Sequence, residues 1–168
     1  IANGYETSGP EILLDSYVNA VCGKNTRSQH FVTVRGNHEY RGSASGDFFK
    51  YLSGGTNKSY FAFRYGAVCF IVLDSGETVA RIAKSPDYCR NFTDSMMLEQ
   101  REFLAQLVKT PLFKDAKYRV VLAHAPIFGG DYYAHMTKNT KTIIDGILLG
   151  DNAEKIHLWL CGHTHSYA

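Results

Sequence analysis

Five side chains in this sequence have the types and spacing to bind a metal ion and act on an anion: Asn37, His38, His124, His163 and His165. Neutral imidazole is the commonest protein ligand for borderline divalent metals such as zinc, iron and manganese. The Asn carbonyl is a hard oxygen donor and a rarer choice. Each candidate follows an apolar run: Val34 leads to Gly36-Asn37-His38-Glu39, Ala123 to His124, and Cys161 to Gly162-His163-Thr164-His165. Glycine before a ligand permits a tight backbone turn. His163 and His165 are two residues apart. In a strand they would share a face; in a turn they would address two neighbouring ions. The remaining histidines, His30, His135 and His157, have no such setting. They read by default as structural or surface residues.

The elements that must position these residues are legible as alternating apolar runs and helical patterns. Residues 10–21 repeat apolar positions at helical spacing, and the short β-branched run 31–34 predicts a buried strand. Residues 60–64 alternate, Tyr65-Gly66 turns, and 68–73 is apolar, which predicts an antiparallel hairpin or two adjacent strands. Residues 96–109 predict a helix whose apolar face carries Met97, Leu98, Phe103, Leu104, Leu107 and Val108, with Pro111 marking its end. A strand over 118–123, a helix over 140–149 closed by Gly150, and a last strand over 157–161 complete the order. This order predicts an α/β domain with sheet layers covered by helices, and functional loops at the carboxyl ends of strands.

Composition sets outer bounds. The 168 residues are 45% hydrophobic and 20% charged, ordinary values for one globular domain. A formal charge of +2 with scattered Lys and Arg gives no footprint for nucleic acid. No run approaches the ~20 apolar residues of a membrane-spanning helix. Cys69 and Cys161 lie in apolar runs and read as small buried hydrophobes; Cys22 and Cys89 are open to pairing in an oxidising compartment. Asn57 and Asn91 head glycosylation sequons, which matter only in a glycosylating host.

Three ordered motifs, Gly-Asn-His-Glu at 36–39, Val-x-x-His at 121–124 and Gly-His-x-His at 162–165, resemble those of the calcineurin-like metallophosphoesterase superfamily, and within it the purple acid phosphatase-like branch. The resemblance spans nearly the whole chain. It implies an α/β fold, a layered β-sandwich flanked by helices, and phosphoester hydrolysis by a dinuclear metal centre with metal-bound hydroxide. It assigns Asn37, His124 and His163 to one metal and His165 to the other. His38 matches the histidine that faces the scissile phosphate as a catalytic group. The family's Asp-x-His and Gly-Asp motifs, which supply the remaining ligands, belong upstream of Gly-Asn-His, and the 36 residues before Asn37 contain neither. The expectation is therefore of a domain lacking its first strands, with at most one weak metal site and impaired turnover, in place of the two divalent ions (zinc, manganese or iron) of a complete enzyme. If Gly-Asp preceded Ile1, Asn3 would stand where true purple enzymes place the Tyr that ligates ferric iron, which favours a redox-neutral pair.

Around the motifs, Arg41 reads either as meeting a substrate phosphate bidentately or as a surface arginine in a salt bridge. Residues 129–135, rich in Gly and Tyr, predict a substrate loop in which His135 touches substrate. Asp74, at a strand end, reads as a turn or supporting group. Missing strands would leave sheet surface uncovered, which predicts self-association. The branch leans towards a periplasmic or secreted setting. The alternative from another class is a binding or scaffold protein carrying a degenerate site on the same fold. A structural zinc site built from Cys161, His163 and His165 is disfavoured, because no partner Cys stands at finger spacing.

Overall fold

The computed structural model describes residues 20, 31–41, 45–46, 48–49, 56–77, 94–126, 134–150, 152 and 155–165. Strands β1 (Phe61–Tyr65) and β2 (Val68–Leu73) form an antiparallel hairpin, with Tyr65 opposite Val68. Gly66, at φ +57°, takes the first central position of the two-residue turn, a place that favours glycine in hairpins. After β2 come helix α1 (Asp94–Leu107), the short helix α2 (Pro111–Lys114), strand β3 (Tyr118–Ala123), helix α3 (Ala134–Ile144) and strand β4 (Leu158–Cys161). The sheet order is β1-β2-β3-β4, with β2, β3 and β4 parallel. The fold is α/β, as expected. Among the described residues there is one sheet; a second layer of the expected sandwich is not among them.

The core lies between this sheet and the two longer helices. Ile71 and Leu73 of β2 and Val121 and Ala123 of β3 point to one face, where they meet Leu104 and Leu107 of α1 and Ile143 and Ile144 of α3. Full burial of one such side chain contributes about 1.5–3 kcal/mol. On the other face of β2, Val72 is fully buried and Val68 and Phe70 are partly buried. A strand packed on both faces reads as an unbroken apolar run, and β2 does. Thr110 caps α2 by accepting from the Phe113 N–H, and Pro111 sits at its start, where a missing N–H costs nothing.

Several expectations change. The 96–109 helix begins two residues earlier, and its buried face is turned: Gln100 is fully buried while Leu98 is 63% exposed. Gln100 is drawn inward because its amide forms two hydrogen bonds with the Asp74 backbone, donating to the carbonyl at 3.0 Å and accepting from the N–H at 2.9 Å. It stands in for a strand partner where β2 ends. Residues 31–34 form no strand, and Phe31 and Val32 are largely exposed. The helix expected over 140–149 runs instead over Ala134–Ile144 and gives way to turns through Gly146 and Gly150, both at positive φ. Cys161 is exposed rather than buried, because only Trp159 of β4 turns inward. Leu158 and Leu160 are 47% and 50% exposed, apolar surface of the kind that self-association buries. The helix expected over 10–21, apart from Ala20, and Cys22 and Cys89 lie outside the described residues. Among the described residues no helix is long and apolar enough to cross a membrane.

Candidate metal centre

The parallel register places Ala123 of β3 opposite Cys161 of β4, so the two strands end side by side. The ladder runs one step further, with the Gly162 N–H donating to the His124 carbonyl at 3.0 Å. His124 and His163 therefore leave neighbouring strands at the same level. Their rings pack edge to face with centroids 5.0 Å apart. A third loop meets them: Gly36 leads into a 3-10 turn over Asn37–Tyr40, and Asn37 points at the same spot. Asn37 Oδ1 lies 2.9 Å from His124 Nε2, and His163 Nδ1 lies 3.1 Å from that same nitrogen.

This convergence fits a shared cation. One imidazole nitrogen carries a single in-plane proton or lone pair, so it cannot serve two partners equally. Three donor atoms around an ion at about 2.1 Å, subtending angles of about 90–110°, stand about 3.0–3.4 Å apart. The observed separations sit close to that range. No set of three or more His, Cys, Asp or Glu side chains is placed to hold a metal among the described residues. The donor set here is two imidazoles completed by an amide oxygen. Burial first, and then the neighbouring His163, push the His124 pKa down to about 4. The ring is thus neutral, with a lone pair to give, at any ordinary pH. Burial also lowers the His163 pKa; the Glu77 carboxylate pulls it up, and His165 and Arg41 pull it down.

The last motif is a turn, not a strand. His163 has φ +71°, and the Thr164 N–H donates to the Gly162 carbonyl at 2.8 Å, a γ-turn around His163. His165 has φ +54°. Two non-glycine residues in the left-handed region cost about 1–3 kcal/mol each, and such strain gathers at functional sites. The turn separates the two imidazoles: His163 joins Asn37 and His124, while His165 is exposed, close enough for its charge to lower both other rings' pKa. We expect His165→Gly to stabilise the metal-free chain by about 1 kcal/mol, by relieving left-handed strain at an exposed site. Urea unfolding checks this, and a loss of stability would mean that contacts of the imidazole hold the turn.

A family model for the calcineurin-like phosphoesterases matches residues 8–167. The chain belongs to the calcineurin-like phosphoesterase family. Metal-dependent phosphoester hydrolysis is the chemistry of that family. No curated protein and no solved structure matches the chain.

In this calcineurin-like domain the loop after Gly36 is held from several sides. Glu39 turns back to accept the Gly36 N–H at 2.9 Å. Tyr40, fully buried, donates a short hydrogen bond to the Asp74 carboxylate, and the Arg35 guanidinium lies over its ring at 3.7 Å. Burial pushes the Asp74 carboxyl up, with Arg35 the largest influence in the other direction. Asp74 also accepts the Gly76 N–H, and Ser75 accepts the Ala125 N–H at 3.1 Å, tying the ends of β2 and β3 together. Asp74 is thus the supporting group its position suggested. His157 is structural: its Nδ1 accepts the Arg119 N–H at 3.1 Å.

Arg41 is buried and engaged. Its Nε and Nη2 both reach Glu77 Oε2 at 2.7 Å, and its Nη1 meets the His38 ring. His135 falls in the first turn of α3 rather than in a loop, and its side chain, like residues 127–133, lies outside the described part. Sequence reasoning missed Glu77, Gln100 and Tyr40. A charged residue a few positions beyond a strand end was the one available signal for Glu77.

Proposed function

We propose that this chain is a metal-dependent phosphoester hydrolase of the purple acid phosphatase-like branch. One divalent ion is held by Asn37 Oδ1, His124 Nε2 and His163 Nδ1, and His165 is a ligand of a second. The observation that carries the reading is the convergence of three neutral donor atoms, within 3.1 Å of neighbours, from three separate loops. Divalent ions bound there, whether zinc, manganese or iron, polarise phosphoryl oxygens and lower the pKa of bound water. His38, half-buried on the same turn as Asn37, faces the phosphoryl group and supplies or takes a proton at the leaving oxygen. The turn keeps His38 one residue from the ligand Asn37, so substrate orientation and metal position are set by one short segment.

The test is titration of the metal-free chain with zinc or manganese, followed by hydrolysis of an aryl phosphate monoester and diester. One ion is expected to bind per chain, weakly, at the Asn37, His124 and His163 donors. Asn37→Ala, His124→Ala and His163→Ala should each weaken that binding by tenfold or more, and His38→Ala should spare it while slowing hydrolysis by 10²–10⁴-fold. Binding that survives His124→Ala unchanged would sink the assignment. An ion bound with no hydrolysis of either ester would favour a degenerate-site binding protein on this fold.

A further inference from the structure

Glu77 lies outside all three motifs, yet it is almost fully buried and joined to the site through Arg41. The sequence brings Arg41 next to His38 by the 3-10 turn, with the Arg41 N–H donating to the His38 carbonyl at 3.2 Å. The side chains meet in an informative way. Arg41 Nη1 is 3.3 Å from His38 Nδ1 and 3.2 Å from Nε2. A donor aligned with one ring nitrogen lies in the ring plane and far from the other nitrogen. The two in-plane points equally near both lie on the Cε1 side and the Cγ–Cδ2 side, and at these distances each would collide with ring carbons. Near-equal separation therefore puts Nη1 over the ring's face. The Nη1–H is directed at that face, and the contact itself occupies no in-plane nitrogen.

The guanidinium cannot swing away easily. Its Nε and Nη2 converge on Glu77 Oε2, with both partners at most 5% exposed. Glu77 is rooted in the segment after β2, which Asp74 and Ser75 tie to Gln100 and to the end of β3. The chain of contacts runs from the sheet, through Glu77 and Arg41, to the plane of the His38 imidazole.

We propose that Glu77 and Arg41 are positioning residues for His38: Glu77 braces the guanidinium, and the guanidinium fixes the plane in which His38 meets the phosphoryl group. Arg41 then acts on substrate through His38. The significance of that plane rests on the hydrolase reading above; the brace itself does not. Lysine cannot replace arginine here, since a single ammonium lacks the fork that reaches Glu77 and His38 together.

The deciding measurement uses the metal-free full chain labelled with carbon-13 in histidine. The His38 ring resonance is assigned by its loss in His38→Gln, and its relaxation order parameter is compared with that of the structural His157. In the parent, His38 is expected to be as rigid as the backbone, at about 0.85, and to fall below about 0.6 in Glu77→Gln and in Arg41→Lys, with His157 unchanged. Glu77→Gln leaves a buried charge without its partner; should it unfold, the double variant Glu77→Gln with Arg41→Met removes both charges and still releases His38. A His38 ring equally rigid with and without Glu77 overturns the proposal. Kinetics on the metal-loaded chain supply a second readout: Glu77→Gln should lower kcat about tenfold with KM unchanged, and should do nothing further in a His38→Ala background. Additive losses would also overturn the proposal. Complete absence of hydrolysis in the parent would count against the hydrolase reading alone, because the relaxation result stands without it.

Discussion

Gly36→Ala is expected to lower metal affinity by 10–100-fold and to cost about 1–3 kcal/mol of stability, although it adds a single methyl group. The reason is not backbone conformation. Gly36 has φ −98°, an extended value open to any residue. The reason is crowding from two sides. A Cβ at this position would stand 2.7 Å from Glu39 Oε2 and 3.1 Å from both Cε1 and Nδ1 of His124. The carboxylate cannot move without giving up the Gly36 N–H, and the ring cannot move without leaving Asn37 and His163. Gly162→Ala is the matched control. Its Cβ would meet His124 no closer than 3.8 Å, an ordinary contact, so its affinity and stability should stay near the parent's. Calorimetric zinc titration and urea unfolding of both variants check the contrast. A Gly36→Ala chain binding within threefold of the parent would mean that the turn yields where the distances say it cannot.

The metal-free chain is also expected to lose about 3 kcal/mol of stability through His124 as pH falls from neutrality to 4. His124 has a pKa of about 4 in the fold against an ordinary 6.5, owing first to burial and then to His163. Between those values the unfolded chain binds a proton that the folded chain refuses. Stability therefore rises with pH across this window, and it is lost as pH falls through it. Each pH unit is worth about 1.4 kcal/mol, which sets the total. Burial lowers the His163 pKa as well, so it contributes in the same sense. Asp74 works the other way, since its carboxyl is raised by burial and holds its proton to higher pH in the fold. Comparing the parent with His124→Gln isolates the His124 share. Urea unfolding at pH 4.5, 5.5 and 7 should show a markedly flatter profile in the variant. Parallel profiles would show that His124 is solvated and titrates normally.

Much of the scaffold is legible without coordinates because it rests on local signals. The hairpin of β1 and β2 is announced by a glycine between an alternating run and an apolar one, and Gly66 does adopt positive φ. Strand β3 is a β-branched run that can bury both faces. Helix α1 shows its period, though not its orientation. Leu98 points outward and Gln100 inward because an unpaired strand end at Asp74 needs an amide more than the core needs one more leucine. A hydropathy pattern weighs leucine above glutamine at every position and has no means of registering that demand. Residues 31–34 and Cys161 failed for a related reason: apolar composition predicts burial only where another element arrives to cover it.

The candidate site divides in the same way. Residue types and order alone singled out Asn37, His38, His124, His163 and His165 and pointed to the calcineurin-like phosphoesterases, since the motifs depend on spacing within each loop. Tertiary structure alone decided which of them meet. The parallel pairing of β3 with β4 sets His124 beside His163, the left-handed γ-turn parts His163 from His165, and the crowded Gly36 lets Asn37 approach. It also supplied Glu77, distant from every motif, as the anchor of Arg41. Ligand identity is a property of side chains and is written in the sequence. Ligand geometry is a property of register, φ and close approach between segments far apart in the chain, and these exist only once the sheet has formed.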